Sequence, residues 1–190
     1  MANRAFFLLH DESSPVADAE ERECTVLAAS NQIPLLWLSV FDSTSIHRVS
    51  RTVEGEDGEK QSVLVPNLHA ALPEALARFM ARQEYVQANL PPELRVHVAE
   101  WESLLRGAQQ RYCQLEPLEV WCMEAPEVFE ADLSVALAAF ADRSLDGWIH
   151  LLTDAGFQAT QDKTSYRYDP EVVRFGLRGY QWSGVVPWDE

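Results

Sequence analysis

The chain has 190 residues, of which 47% are hydrophobic, and 30 acidic against 15 basic residues give a formal net charge of −15. This length suits one domain with a sizeable core, and so negative a field opposes binding to nucleic acid or to an anionic membrane. The three cysteines are widely spaced, which indicates neither a disulfide framework nor a zinc site and favours reduced thiols in the cytoplasm.

The N-terminal part of the chain predicts one strand followed by two helices. Residues 5–9 are apolar, aromatic and continuous, which is typical of a buried strand. Pro15 follows a serine that can cap a helix, and apolar residues then recur at roughly helical spacing, so we expect a helix over 15–29. The apolar segment 34–41 fits either a buried strand or a short helix, and Pro34 near a first turn favours the helix.

The middle of the chain predicts a β-hairpin and two amphipathic helices. The β-branched segments 46–53 and 61–65 flank an acidic turn that contains Asp-Gly, which is typical of a hairpin. Apolar residues then recur every three or four positions over 68–80, and again over 94–108 after a Pro-Pro pair. Both stripes predict helices that bury one face in the core.

The last third of the chain predicts a strand, two more helices and an irregular end. We expect a strand over 118–123, where β-forming residues stand between two prolines. Helical spacing over 133–140 and 145–152 predicts two helices with a break near Arg143, and a glycine ends the second. The segment 157–190 is rich in aromatic residues and glycine, which predicts turns and short strands rather than a helix.

Together these elements predict an α+β fold in a single domain over 1–190. We expect a small, mostly antiparallel sheet that includes the β-hairpin, with about five to six helices. No internal repeat or flexible linker divides the chain. The apolar segments are too short for a signal-peptide core or for a membrane-spanning helix of roughly 20 residues, so we expect a cytoplasmic protein.

The sequence contains no recognisable motif for catalysis or for a cofactor. The glycines form no phosphate-binding loop, the histidines are scattered without H-E-x-x-H, and Ser183 lacks the preceding glycine of G-x-S-x-G. Cys113 or Cys122 could pair with a distant histidine as a nucleophile, but free cysteine more often packs as a small apolar group. We therefore predict no catalytic residue, no metal and no cofactor. The alternative is an enzyme with a dispersed site, built from carboxylates with His150 or Cys122.

The acidic segment 116–132 is the strongest candidate for a binding site. No lysine or arginine lies between Arg111 and Arg143. Carboxylates can steer a basic partner, and the aromatic side chains among them can provide apolar anchors. The alternative is a solvated helix start, where carboxylates stabilise the helix macrodipole by roughly a few tenths of a kcal/mol each. The predicted partner-binding residues are Glu116, Glu119, Trp121, Glu124, Glu127, Phe129, Glu130 and Asp132.

Two resemblances bear on function. Residues 1–4 (M-A-N-R) before an aromatic strand, residues 33–38 (I-P-L-L-W-L) and the acidic hairpin resemble a loosely defined group of uncharacterised bacterial proteins, which offers no catalytic residues. In class, the chain resembles cytosolic immunity proteins, which neutralise toxins by covering their active sites. This resemblance implies a non-enzymatic protein whose partner is a basic toxin such as a nuclease, because a phosphate-binding cleft presents lysine and arginine. A scaffold or regulatory module that binds a host protein is a further alternative.

Overall fold

The computed structural model describes residues 3–16, 25–54, 58–143, 147, 151–152, 156, 158–159 and 166–182. Over these residues the protein has an α+β fold in a single domain. The strands are β1 (Arg4–His10), β2 (Thr25–Ser30), β3 (Ile46–Glu54), β4 (Lys60–Ala71), β5 (Tyr112–Glu116), β6 (Gln158–Ala159), β7 (Tyr166–Arg167) and β8 (Tyr180–Gln181). The α-helices are α1 (Leu35–Leu38), α2 (Leu72–Asn89), α3 (Arg95–Gly107), α4 (Leu118–Trp121), α5 (Pro126–Asp142) and α6 (Pro170–Arg178), and 3₁₀ turns cover Ser43–Ser45 and Pro92–Leu94. Among these helices, none combines the length and the apolar character that crossing a membrane requires.

The main sheet has six antiparallel strands in the order β3-β4-β5-β1-β2-β8. β1 lies between β5 and β2, and Phe7 of β1 is opposite Leu115 of β5 and Leu27 of β2. Phe6 and Phe7 point to opposite faces, yet both are at most 2% exposed. A strand covered on both faces needs apolar residues without alternation, which is the pattern of β1.

The main core lies between one face of the sheet and the helices. Phe7 packs edge-to-face against Trp101 of α3, with ring centroids 4.8 Å apart. Trp37 of α1 is fully buried and donates its indole N–H to the carbonyl of Arg178 at 2.9 Å, which joins α1 to the end of α6. A smaller cluster covers the other face of the sheet. Its members are Phe6, Leu8, Val16, Ala28 and Tyr180.

Several predictions from the sequence are confirmed: β1, the β3–β4 hairpin, α1, α3 and α5. β3 and β4 pair in a regular register along all nine residues of β3. The predicted break near Arg143 is present, because α5 ends at Asp142 and Arg143 adopts a left-handed φ of 51°. The tip of the hairpin at 55–57 and most of the predicted helix over 145–152 lie outside the described residues.

The helix predicted over 15–29 is wrong at its C-terminal end. Residues 25–30 form β2, and residues 17–24 lie outside the described part of the chain. Thr25 and Val26 are β-branched, and β2 pairs with β1 on one side and with β8 on the other. Pairing in the sheet provides hydrogen bonds for the backbone of this segment. These hydrogen bonds outweigh a helical spacing that was only approximate.

The strand predicted over 118–123 is also wrong. The strand, β5, ends at Glu116, and the next residues form the single turn of α4. Pro117 begins that turn, and its carbonyl accepts the N–H of Trp121 at 2.8 Å. β-Forming side chains therefore occupy a helix here, because Pro117 interrupts the strand and tertiary packing decides a segment this short.

Two further differences concern helix positions. The apolar stripe predicted as a helix from Leu68 begins inside β4, whose pairing with β5 continues to Ala71 before α2 starts at Leu72. The C-terminal segment also contains α6, although we expected no helix there. Val173 and Leu177 are four residues apart and fully buried, so they form the apolar side of a short helix. The many aromatic residues and glycines around them favoured strands and turns in the prediction.

Candidate functional site

The acidic segment 116–132 follows the end of β5 through α4 and into α5. Pro126 occupies the first turn of α5, where a missing N–H costs no hydrogen bond. The N–H groups of Val128 and Phe129 both donate to the carbonyl of Ala125, at 2.9 and 3.1 Å, and close this turn. The helical period then places Phe129 on the same side of α5 as Asp132, so one side carries both an apolar residue and a carboxylate.

This side of α5 forms one wall of a groove of about 280 Å³, and the turn between β2 and α1 forms the other. Asn31 in that turn has a left-handed φ of 59°. Its N–H donates to the carbonyl of Asn3 at 2.5 Å, and its side-chain oxygen accepts the N–H of Asn3 at 3.2 Å. The residues lining the groove are Asn31, Gln32, Ile33, Leu38, Val120, Met123, Glu124, Phe129, Asp132, Leu133 and Ala136.

The groove combines a buried apolar floor with an exposed acidic rim. Leu38, Phe129 and Leu133 are each at most 7% exposed and belong to the main core. Glu124 and Asp132 are exposed, and neither has an ion-pair partner in the part of the chain that the structure describes. The arrangement can hold a group that is apolar along its length and cationic at its end.

The predicted partner-binding residues separate into different environments. Glu124, Phe129 and Asp132 line the groove. Glu127 is exposed in the first turn of α5, where a carboxylate also stabilises the helix macrodipole. Trp121 is 8% exposed, and its indole packs into the main core and attaches α4 to it.

Arginines from neighbouring strands already neutralise three of the six carboxylates in the acidic segment. The pairs are Arg51–Glu116 at 3.3 Å, Arg4–Glu119 at 3.5 Å and Arg48–Glu130 at 2.6 Å. Glu116 is only 5% exposed and lies within the fold. The segment has one sign of charge in the sequence but not in space, because the sheet brings these arginines to it.

The wall of the groove formed by the β2–α1 turn was not predicted from the sequence. Asn31, Gln32 and Ile33 lie about ninety residues before the acidic segment, so only the tertiary fold brings them to it. An asparagine after a β-forming segment is itself a turn signal. The helix predicted over 15–29 obscured that signal by placing the preceding residues in the wrong element.

The two described thiols are poorly suited to nucleophilic chemistry. Burial raises the pKa of Cys113 to about 12. Burial also raises the pKa of Cys122, and the charges of Glu119 and Glu116 add to the effect. Little thiolate forms at neutral pH in either case. Within the described residues no group of three histidine, cysteine or carboxylate side chains is arranged to hold a metal ion, and His150 lies outside them.

A second cluster of titratable side chains lies on the face of the sheet away from the main core. The ring of His69 on β4 stacks on Tyr112 with centroids 5.2 Å apart, and lies 5.3 Å from His10 and 5.6 Å from His47. Residues 11–16 run beside this cluster, and the backbone of Glu12 forms a hydrogen bond with His69. The side chain of His69 is therefore enclosed by aromatic rings and by a covering segment.

We expect this cluster to make stability depend on pH below 6.5. Burial lowers the pKa of His69 from its ordinary value of 6.5, the hydrogen bond with Glu12 opposes this, and the charge of His47 adds to it. The unfolded chain then binds more protons than the folded chain just below pH 6.5, so the free energy of unfolding decreases as the pH falls. Urea denaturation at pH 7.5 and 5.5 measures the difference.

The variant His69→Phe keeps a ring in the stack and removes the titrating group. Its loss of stability between pH 7.5 and 5.5 should be smaller than that of the unmodified protein. His97→Gln is the control, since His97 lies on α3 and contacts Glu100 at 3.2 Å outside the cluster. An unchanged pH dependence in His69→Phe would contradict the assignment.

Comparison of the chain with known proteins finds no match. No protein-family model, no curated protein and no solved structure matches the chain.

Proposed function

We propose that the protein is a non-enzymatic inhibitor of the immunity-protein class, which binds a basic protein toxin in the bacterial cytoplasm and covers its active site. The observation that carries the proposal is the groove with its acidic rim. Glu124 and Asp132 carry charges that no cation of the described chain neutralises, and they stand beside an apolar floor. A nuclease toxin is the target class that best matches, since its phosphate-binding cleft is cationic.

Exposed apolar side chains around the groove support a protein partner. Met123 is 47% exposed in the turn before α5. Val128 and Val135 are 47% and 50% exposed, and their spacing of seven residues places them on one side of α5, next to Asp132. Apolar residues surrounded by charge are typical of interfaces, where the apolar contacts provide affinity and the charges provide the association rate.

The first experiment is affinity capture of the partner, including the product of any adjacent gene in a catalytically disabled form. The association of the purified pair is then followed by stopped flow over a range of salt concentrations. We expect the rate constant to fall about 10–100-fold in Glu124→Lys/Asp132→Lys, because steering by these two carboxylates of the groove is lost. The dependence of the rate on salt should weaken in the same variant.

The matched control is Glu84→Lys/Asp142→Lys, which changes the net charge equally. Glu84 lies on α2 and Asp142 ends α5, ten residues or roughly 15 Å along the helix from Asp132. The control should associate almost as fast as the unmodified protein. Equal losses in both variants would show a general charge effect and reject the groove as the interface. A partner that binds without losing its activity would instead favour a scaffold or regulatory module.

An enzyme is the second candidate. The feature that favours it is a buried polar residue, Asn67, among histidines on the face of the sheet away from the main core. Asn67 on β4 is fully buried, and neither side-chain atom has a hydrogen-bond partner in the structure as described. It lies between His47 across the ladder and His69 two residues further along β4. A buried amide without a partner needs a physical explanation, and a catalytic role is one of those known for such groups. If no stable partner is recovered, a ligand screen directed at Asn67 is the next experiment.

A further inference from the structure

The groove has the size of a site for one side chain. Its volume of about 280 Å³ lies just below the roughly 300–1,000 Å³ that is typical of pockets for small molecules. The floor contributed by Val120, Phe129 and Leu133 is continuous with the main core. Such a floor can cover the methylene groups of a long side chain while the end of that chain stays at the rim.

The rim of the groove presents acceptors from both walls. Glu124 and Asp132 provide two carboxylates on one side, and Gln32 provides an amide on the other, beside Asn31, whose side-chain oxygen already accepts the N–H of Asn3. A guanidinium group has five N–H donors in one plane and can divide them among several acceptors, whereas an ammonium group has three donors at a single point. The set of acceptors therefore fits arginine better than lysine.

We infer that the groove is the anchor site for one arginine side chain of the partner, with its methylenes on the apolar floor and its guanidinium between Glu124 and Asp132. The inference rests on the proposed function, because it names the group by which a basic partner enters the groove. It also explains why the two carboxylates lack a cation in the described chain although the neighbouring Glu130 has Arg48.

The test uses the isolated protein and a small probe, so it needs no partner. N-acetyl-arginine amide is titrated into isotope-labelled protein, and the methyl resonances of Ile33, Val120 and Leu133 are followed by NMR. We expect saturable shifts with a Kd on the order of 1 mM, the range for a ligand of this size. N-acetyl-citrulline amide has nearly the same shape without the charge, and it should bind about 10-fold more weakly.

Variants locate the guanidinium in the groove. Glu124→Gln and Asp132→Asn should each weaken the arginine probe about 3–10-fold, and N-acetyl-lysine amide should bind less well than the arginine probe. The matched control is Glu127→Gln, which removes an exposed carboxylate of α5 that does not line the groove. Shifts at other methyl groups, equal binding of citrulline, or equal effects of the three variants would each overturn the inference.

The two proposals fail separately. If the arginine probe does not enter the groove while Glu124→Lys/Asp132→Lys still slows association with the captured partner, the arginine site is rejected and the inhibitor proposal stands. If the variant also has no effect on association, both proposals are rejected.

Discussion

The variant Arg51→Met should lose about 3–5 kcal/mol of the free energy of unfolding, measured by urea denaturation. Arg51 and Glu116 form a buried ion pair at 3.3 Å, with side chains only 4% and 7% exposed. Arg51 also donates to the carbonyl of Val16 at 3.3 Å, which ties the segment before residue 17 to β3. Methionine fills similar space but leaves the carboxylate of Glu116 buried without its cation, and that is the main cost.

The double variant Arg51→Met/Glu116→Leu separates the charge from the packing. Removing both charges avoids the uncompensated carboxylate, so we expect it to recover most of the stability lost in the single variant. Arg48→Met is the exposed control, because Arg48 pairs with Glu130 at the surface. It should lower the free energy of unfolding far less than Arg51→Met does. A double variant as unstable as Arg51→Met would mean that the loss comes from packing and hydrogen bonds rather than from the buried charge.

The substitution Gly179→Ala should destabilise the protein by about 2–5 kcal/mol, the sum of a left-handed backbone penalty and a steric overlap. Gly179 has φ of 70°, and an added Cβ would lie 2.5 Å from the carbonyl oxygen of Ala28 and 2.6 Å from Cζ2 of Trp37. Its N–H donates to the carbonyl of Phe175 at 2.8 Å and closes the end of α6. Thermal or urea denaturation measures the loss.

The matched control for this substitution is Gly107→Ala. Gly107 ends α3, and no neighbouring atom lies within 4 Å of an added Cβ. Alanine there should be neutral or stabilising by up to about 1 kcal/mol, because it restricts the unfolded chain and favours the helix. Similar losses in both variants would contradict the steric explanation, since of these two glycines Gly179 alone combines a left-handed backbone with a close approach.

The sequence was sufficient for elements whose local pattern and tertiary role agree. The segment 5–9 is apolar without alternation because β1 is covered on both faces, and the long stripe of α3 matches its burial against the sheet. The errors occur where local preference and pairing disagree. β2 follows a spacing that also resembles a helix, and α4 contains β-forming residues in a single turn after Pro117.

The candidate site was predictable in part, for a related reason. The sequence identified a segment rich in carboxylates, and the residues Glu124, Phe129 and Asp132 now line one groove. Spacing along one chain cannot reveal which carboxylates have cations from other strands, so Glu116 and Glu130 entered the same set as Asp132. Pairing across the sheet decides that question, and it also decides that a turn from the N-terminal part completes the groove.

The position of β1 has a consequence for the order of events during biosynthesis. β1 pairs with β5, and Phe6 lies opposite Glu116, so half of its pairing waits until more than one hundred further residues have left the ribosome. At about 5–20 residues per second this interval is roughly 5–20 seconds. One of the most apolar segments of the chain therefore leaves the ribosome well before its partner strand β5 and completes its pairing late, so one of its hydrogen-bonding edges stays unpaired during this interval.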